Sequence, residues 1–323
     1  MRVLVEAPGP PGHGVRRHAE RVTELLTGPA GPTGPAGPQG GSDLTHAHFT
    51  DALWGPDVAS AAAAFTRRAA DLPRPLVVTL HDVPGGDPDP LRDARRVAGY
   101  RRVAAAADLV IVSARHEAVK ARAFGVEPLV IPLPLPFRSP AAGSWSPEWT
   151  DRPTIGVLGF VYPGKGHAEA IDAAAGHPAR PRVVAAGAVS PGHAALWAEL
   201  VARARAVGVE LHLTGPLDEA DLVAAARAVT VPLAPNHGVS ASGSLLTWLA
   251  CGRVPLAARG PFAVETAEDH PGHVRLYEPD AIGPELARAL ADPARTRRVP
   301  PVRPDVGALH RRAYALARRR TAC

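Results

Sequence analysis

Short apolar runs rich in β-branched residues recur along the chain. Between them lie longer Ala-rich stretches in which apolar positions return every three or four residues. The first texture marks buried strands and the second amphipathic helices. In the first half, strands are expected at Arg2–Glu6, Leu44–Phe49, Pro75–Leu80, Asp108–Ser113 and Pro128–Pro132. Helices are expected from Val15 to Leu26, with Val15, Val22, Leu25 and Leu26 as the apolar stripe, and at Asp57–Asp71, Leu91–Ala106 and Ala114–Phe124. A second alternation gives strands at Thr154–Gly159, Arg182–Ala186, Glu210–Leu213, Val229–Leu233 and Val254–Ala257, with helices between them.

Strand–helix alternation at this rhythm specifies parallel, doubly wound sheets, so the chain reads as α/β with two Rossmann-like domains. Their expected limits are 1–140 and 154–303. A Pro- and Ser-rich linker at 141–153 separates them, and a closing helix within 304–323 is expected to pack back on the first domain. The segment GPAGPTGPAGPQGG, Gly28 to Gly41, has a collagen-like period but far too few triplets for a triple helix, and reads as a flexible surface loop.

Composition narrows the picture. The 323 residues suffice for two ordinary cores, and 46% hydrophobic with 21% charged residues is a globular balance. No apolar run approaches the ~20 residues that span a bilayer, and the N-terminus has too short an apolar core for a signal peptide. With only Cys251 and Cys323, no disulfide framework is suggested, so a cytoplasmic location is expected. The net charge of +5 is modest. The basic segment His310–Arg320 reads as a solvated helix face, with peripheral membrane contact the lesser reading. No motif points to nucleic acid. Of the 36 Lys and Arg residues, only Lys120 and Lys165 are lysines. That bias, with abundant Ala, Pro and Gly, points to high-GC coding and toward an actinobacterial source.

Lys165 carries the first chemical signal. It sits in a Gly-rich turn, Phe160 to Gly166, between a buried strand and an Ala-rich helix. Free amides at such a helix start, at the positive end of its dipole, form an anion site, and an ammonium suits a diphosphate as a point charge. A second pocket of this kind lies in NHGVSASGSLLTWLACG, where Ser240, Ser242, Gly243 and Ser244 lead into an apolar helix from Leu245. In the first half, Gly12, His13, Gly14 and Val15 form a glycine loop without the dinucleotide spacing. His81 and Asp82 end a buried strand, where open sheets place their ligands. His46 and His48 share one face of a strand. No third ligand arrives at metal spacing, so no metal site is expected.

Taken together, the glycine loop GHGVRRHAERVTELL, the HAHF strand, TLHD, ADLVIVSARHEA, GVLGFVYPGKG, VTVPLAPN and LACGRVPLA resemble a GT-B glycosyltransferase of the family-four kind, over nearly the whole chain. The resemblance implies two domains facing a cleft. The nucleotide sugar would be bound mainly by the C-terminal domain and the acceptor mainly by the N-terminal one. By position, Gly164, Lys165, Gly166, Ser242, Gly243 and Ser244 would hold the donor diphosphate. Phe160, Pro235, Asn236, Ser240 and Thr247 would lie about the nucleotide and sugar. Gly12, His13, Gly14, Val15, His48 and Asp82 would line the acceptor side, and His81 would stand beside the transferred sugar as a catalytic residue with Lys165. Such enzymes commonly carry Arg where this chain has Phe160, and two glutamates where it has Val239 and Thr247. Hydroxyls and backbone amides would then replace carboxylates around the donor.

The expected activity is transfer of a sugar from a nucleoside diphosphate sugar to a hydroxyl of a small molecule or glycan. It would need no metal or other cofactor and would proceed with retention. If configuration inverts, His81 is the candidate base, with His46 or Asp82 the lesser alternatives. The alternatives are a sugar-nucleotide-binding partner without turnover and an epimerase, the latter disfavoured by the missing carboxylates. A nicotinamide dehydrogenase lacks its glycine fingerprint.

Overall fold

Two all-parallel sheets carry the chain. A computed structural model describes all residues except 11, 28–40, 137–144, 237, 239, 279–280, 303 and 322–323. The Gly-Pro repeat (but for Gly41), the first part of the expected linker, Val239 and Cys323 therefore lie outside the described residues. One unit comprises Met1–Pro134 with Pro304–Cys323, and the other Leu135–Arg303.

The first unit runs β1 (Val3–Glu6), α1 (Gly14–Thr27), β2 (Leu44–Phe49), α2 (Asp51–Trp54), α3 (Val58–Ala70), β3 (Leu76–Leu80), α4 (Pro90–Ala105), β4 (Leu109–Val112), α5 (Arg115–Ala123) and β5 (Leu129–Val130). The second runs β6 (Thr154–Leu158), α6 (His167–Ala175), β7 (Arg182–Ala186), α7 (Ala194–Ala206), β8 (Leu211–Leu213), α8 (Glu219–Ala228), β9 (Val231–Ala234), α9 (Gly243–Ala250), β10 (Leu256–Ala258), α10 (Pro261–Asp269), β11 (Arg275–Tyr277) and α11 (Ile282–Ala291). The chain then re-enters the first unit as α12 (Val306–Thr321).

In the first sheet the strands lie in chain order, β1-β2-β3-β4-β5. Successive residues alternate between its two faces. Val78, Leu80, Val110 and Val112 pack against Phe65 of α3, Tyr100 of α4 and Ala118 of α5. On the opposite face, Leu44, Val77, Leu109 and Ile111 pack against Tyr314 and Ala317 of α12 and against Leu25 and Leu26 of α1. His46, His48 and Thr79 fall on this second face by the same alternation, with His48 paired to Thr79 across the β2–β3 ladder.

The second sheet has the order β11-β10-β9-β6-β7-β8. The chain leaves β6 in one direction and returns to its other side at β9. The reversal makes the carboxyl ends of β6 and β9 the point where ligands of open α/β sheets bind. The sequence reading found five of these six strands. It missed β11, a three-residue edge strand whose pattern Arg-Leu-Tyr is too short for periodicity to register. Among the described residues, no helix is long and apolar enough to cross a membrane.

Arg253, only 2% exposed, organises the lower end of this unit. Its guanidinium donates to the carbonyls of Ala226, Arg227, Thr230 and Thr296 and to the Thr296 hydroxyl, at 2.6–3.1 Å. The first two are orphan acceptors at the C-terminal end of α8, where a cation also opposes the helix dipole. Arg253→Met should strand these buried acceptors and lower stability by about 3–5 kcal/mol. Arg259→Met, which breaks only an exposed pair with Glu278, should cost no more than about 1 kcal/mol. Denaturant unfolding of the two variants beside the parent chain checks the contrast.

Candidate functional site

The backbone leaving β6 sets the first site. Gly159 takes φ 103° and Gly164 φ 78°, so the turn folds back on itself and delivers Lys165 to the sheet end. Gly166 follows at φ 90° as the N-cap of α6, with no side-chain cap on the helix. A Cβ on Gly166 would stand 2.2 Å from Cγ of Pro235, so the start of α6 lies directly against the end of β9. Only glycine fits both the dihedral angle and the contact.

Lys165 is 6% exposed. Its Nζ donates to Ser244 Oγ at 2.9 Å and stands 5.9 Å from the centre of the Tyr162 ring. Ser244 Oγ is 3.2 Å from Ser242 Oγ, and Ser242 caps α9 by accepting from the Leu245 amide at 3.2 Å. The two pockets read separately in the sequence are thus one place, with the ammonium at the amino end of α9. Burial pushes the Lys165 pKa down to about 8, with no charged neighbour contributing. A buried ammonium held by a neutral hydroxyl and a ring face favours an anion as its missing partner.

Asn236, at the end of β9, donates to the Gly164 carbonyl at 3.3 Å and so ties β9 to the turn. Its Oδ1 is buried without a partner among the described residues. His167 Nε2, one residue past the N-cap, is likewise buried and unpartnered among the described residues. Burial, aided by Lys165, holds that ring at a pKa of about 4 and therefore neutral. Sequence reading missed His167, although its position in the first turn of a phosphate-type helix was a usable signal. Pro235 packs under Gly166, while Phe160 is exposed at the carboxyl end of β6. Thr247 donates to the Gly243 carbonyl at 2.8 Å within its own helix. Ser240 is half-buried, two residues before the α9 cap.

The first-unit candidates gather at the carboxyl ends of β2 and β3. Gly12 takes φ 84°, and His13 Nδ1 accepts from the Val15 amide at 3.2 Å, capping α1 in place of a serine or aspartate. Gly14 opens α1, and Val15 is buried beneath it. His81 Nε2 lies 3.1 Å from His48 Nδ1, and the Tyr100 hydroxyl donates to the His81 carbonyl. Asp82 adopts φ 52°, and its carboxylate accepts from Thr50 Oγ1 at 3.1 Å.

Burial lowers the His81 pKa to about 4, with Asp82 opposing the shift and His13 reinforcing it. His46 is satisfied at both ring nitrogens, by Tyr314 at 2.8 Å and Thr79 at 2.7 Å. Sequence spacing showed no third ring near His46 and His48. The fold supplies His81 from the end of β3 and His18 from α1.

No family model matches the chain, and no curated protein matches it in sequence. Solved structures share its fold. HepE from Anabaena, in complex with UDP and glucose, superposes with a TM-score of 0.62 at 18% identity, covering 87% of this chain and 77% of that one. Sucrose-phosphate synthase from Thermosynechococcus elongatus gives 0.63 at 16% identity, covering 94% and 73%. A UDP-forming α,α-trehalose-phosphate synthase from Burkholderia xenovorans, in complex with glucose-6-phosphate, gives 0.56 at 14% identity, covering 86% and 69%. With its five- and six-stranded parallel sheets, the chain has the GT-B fold of these glycosyltransferases.

Proposed function

We propose that the chain is a glycosyltransferase that moves a sugar from a nucleoside diphosphate sugar to a hydroxyl-bearing acceptor. The observation that carries this is the buried Lys165 ammonium, 2.9 Å from Ser244 Oγ at the reversal point of the second sheet. Breaking the anomeric C–O bond develops negative charge on the departing diphosphate. A desolvated ammonium and the amides opening α6 and α9 stabilise that charge more in the transition state than in the ground state. The diphosphate then needs no metal ion. UDP is the first nucleotide to test, because HepE, of the same fold, binds it.

The residues favour a retaining course. His81, held by burial at a pKa of about 4, is neutral at pH 7 and too weak a base to take an acceptor proton efficiently. In a retaining transfer that proton passes to the leaving phosphate, and no protein nucleophile is required. The acceptor's subsite is assigned to the first unit, where Gly12–Val15, His48, His81 and Asp82 stand.

Two outcomes test this reading. Lys165→Ala should lower turnover of the donor at least about a hundredfold, on the order of 3 kcal/mol of transition-state stabilisation. The measurement is nucleoside diphosphate release from UDP-, GDP-, ADP- and dTDP-sugars with candidate acceptors. Unchanged turnover removes Lys165 from the mechanism, and binding without any turnover makes the chain a sugar-nucleotide-binding partner instead.

The second outcome is a pH dependence. Below pH 8 the free protein already carries a charged Lys165, so its contribution to UDP binding is constant. Above pH 8 a bound diphosphate must draw a proton back onto the amine, and affinity falls by up to about tenfold per pH unit. Titration calorimetry between pH 7.5 and about 9.5 should show that fall in the parent chain and lose it in Lys165→Met.

A further inference from the structure

The second face of the first sheet holds a group of histidines that the donor chemistry does not use. His18 of α1, His48 of β2 and His81 after β3 stand at three corners. Their ring centres are 5.2 Å (His18–His48), 5.3 Å (His18–His81) and 5.4 Å (His48–His81) apart. One ring nitrogen from each lies within 4.8 Å of the others, and His48 Nδ1 to His81 Nε2 is 3.1 Å. An ion bound tetrahedrally at about 2.0–2.1 Å sets its ligand nitrogens roughly 3.3 Å apart and the ring centres roughly 5 Å apart. The three ring centres and the His48–His81 nitrogen pair stand at that spacing, and a small rotation of the rings would bring the third nitrogen in from within 4.8 Å.

The hydrogen-bond accounting points the same way. Both ring nitrogens of His18 are buried with no partner among the described residues, and an ion would take one of them. A histidine ring kept in a core without partners is costly. Neighbouring His46 has its ring centre 4.5 Å from that of His48 but, by contrast, is satisfied at both ring nitrogens by Tyr314 and Thr79. Burial holds His18 and His48 well below the usual imidazole range, so the rings present lone pairs rather than protons at neutral pH.

We propose that His18, His48 and His81 form a binding site for one divalent transition-metal ion, with Zn²⁺ as the best-fitting class. Three imidazoles without a thiolate suit Zn²⁺, Ni²⁺ or Cu²⁺ and not Mg²⁺ or Ca²⁺, which take oxygen ligands. Three ligands leave a fourth position open to water or a hydroxyl. The ion would also pin α1 to the sheet. The site shares His48 and His81 with the proposed acceptor subsite, but because it lies wholly in the first unit it stands or falls separately from the Lys165 donor site.

The experiment uses the full chain without a histidine tag, dialysed against EDTA and then titrated with Zn²⁺ and, separately, Co²⁺. The parent chain should take up one equivalent of Zn²⁺ by elemental analysis. With Co²⁺ it should develop the intense visible bands of a four-coordinate ion. His18→Gln should weaken Zn²⁺ binding at least about tenfold, whereas His310→Gln, which alters a buried ring of the same cluster outside the trio, should leave it unchanged. No Zn²⁺ uptake by the parent chain, a weak six-coordinate cobalt spectrum, or equal binding by folded His18→Gln would each overturn the site. Should His18→Gln fail to fold, the cobalt spectrum of the parent chain decides alone. UDP binding, measured on the same samples, reports on the donor site independently.

Discussion

A positive charge taken out of water, with no carboxylate beside it among the described residues, is the constraint on which the second unit depends. Lys165 can be buried only because the turn that delivers it is exact in its backbone angles, and Gly164 and Gly166 supply those angles. Pro235 presses against Gly166, Asn236 holds the Gly164 carbonyl, and Ser244 accepts from the amine. Each contact comes from the end of β9 or the start of α9, the elements that follow the sheet's reversal. The topology therefore positions the charge: a sheet without the return from β8 to β9 would leave Lys165 without Ser244.

Much of this was legible in the residues. Buried strands such as Pro75–Leu80 and Thr154–Gly159 declare themselves through short apolar runs rich in β-branched residues, and Gly-rich turns mark their carboxyl ends. Lys165 and Ser244 were each readable as anion-site residues. Their meeting, across 79 positions of chain, was not, because periodicity describes elements and not their neighbours. The same blindness hid the first sheet's strand order, which runs straight through where a doubly wound sheet would reverse.

His18 is the instructive case. It lies three residues after Val15 and four before Val22, on the apolar stripe of α1, so the helical period alone places it facing the sheet. A polar ring on a buried stripe is a signal. Reading His46 and His48 only for local ligand spacing left that signal unused. Conversely, Thr247 stands where the resemblance leads one to expect a glutamate and was placed about the nucleotide and sugar, yet its hydroxyl is turned back onto the Gly243 carbonyl. Spacing cannot reveal which way a side chain spends its hydrogen bond.

The two units show burial applied to opposite ends. Desolvation lowers the pKa of Lys165 and of the histidines alike, because in both cases it penalises the charged form. At pH 7 the outcomes differ. An amine displaced to about 8 stays mostly protonated and favours an anion, whereas the imidazoles are left neutral and favour a cation. This bears on the missing carboxylates of the second unit. A glutamate beside Lys165 would neutralise the ammonium in the free protein and compete with a diphosphate for it. With Ser242 and Ser244 there instead, the ammonium has only neutral partners in the free protein, which is what the proposed diphosphate site requires. On the proposed function, the group that gains most from it is the one whose charge grows as a glycosidic bond breaks.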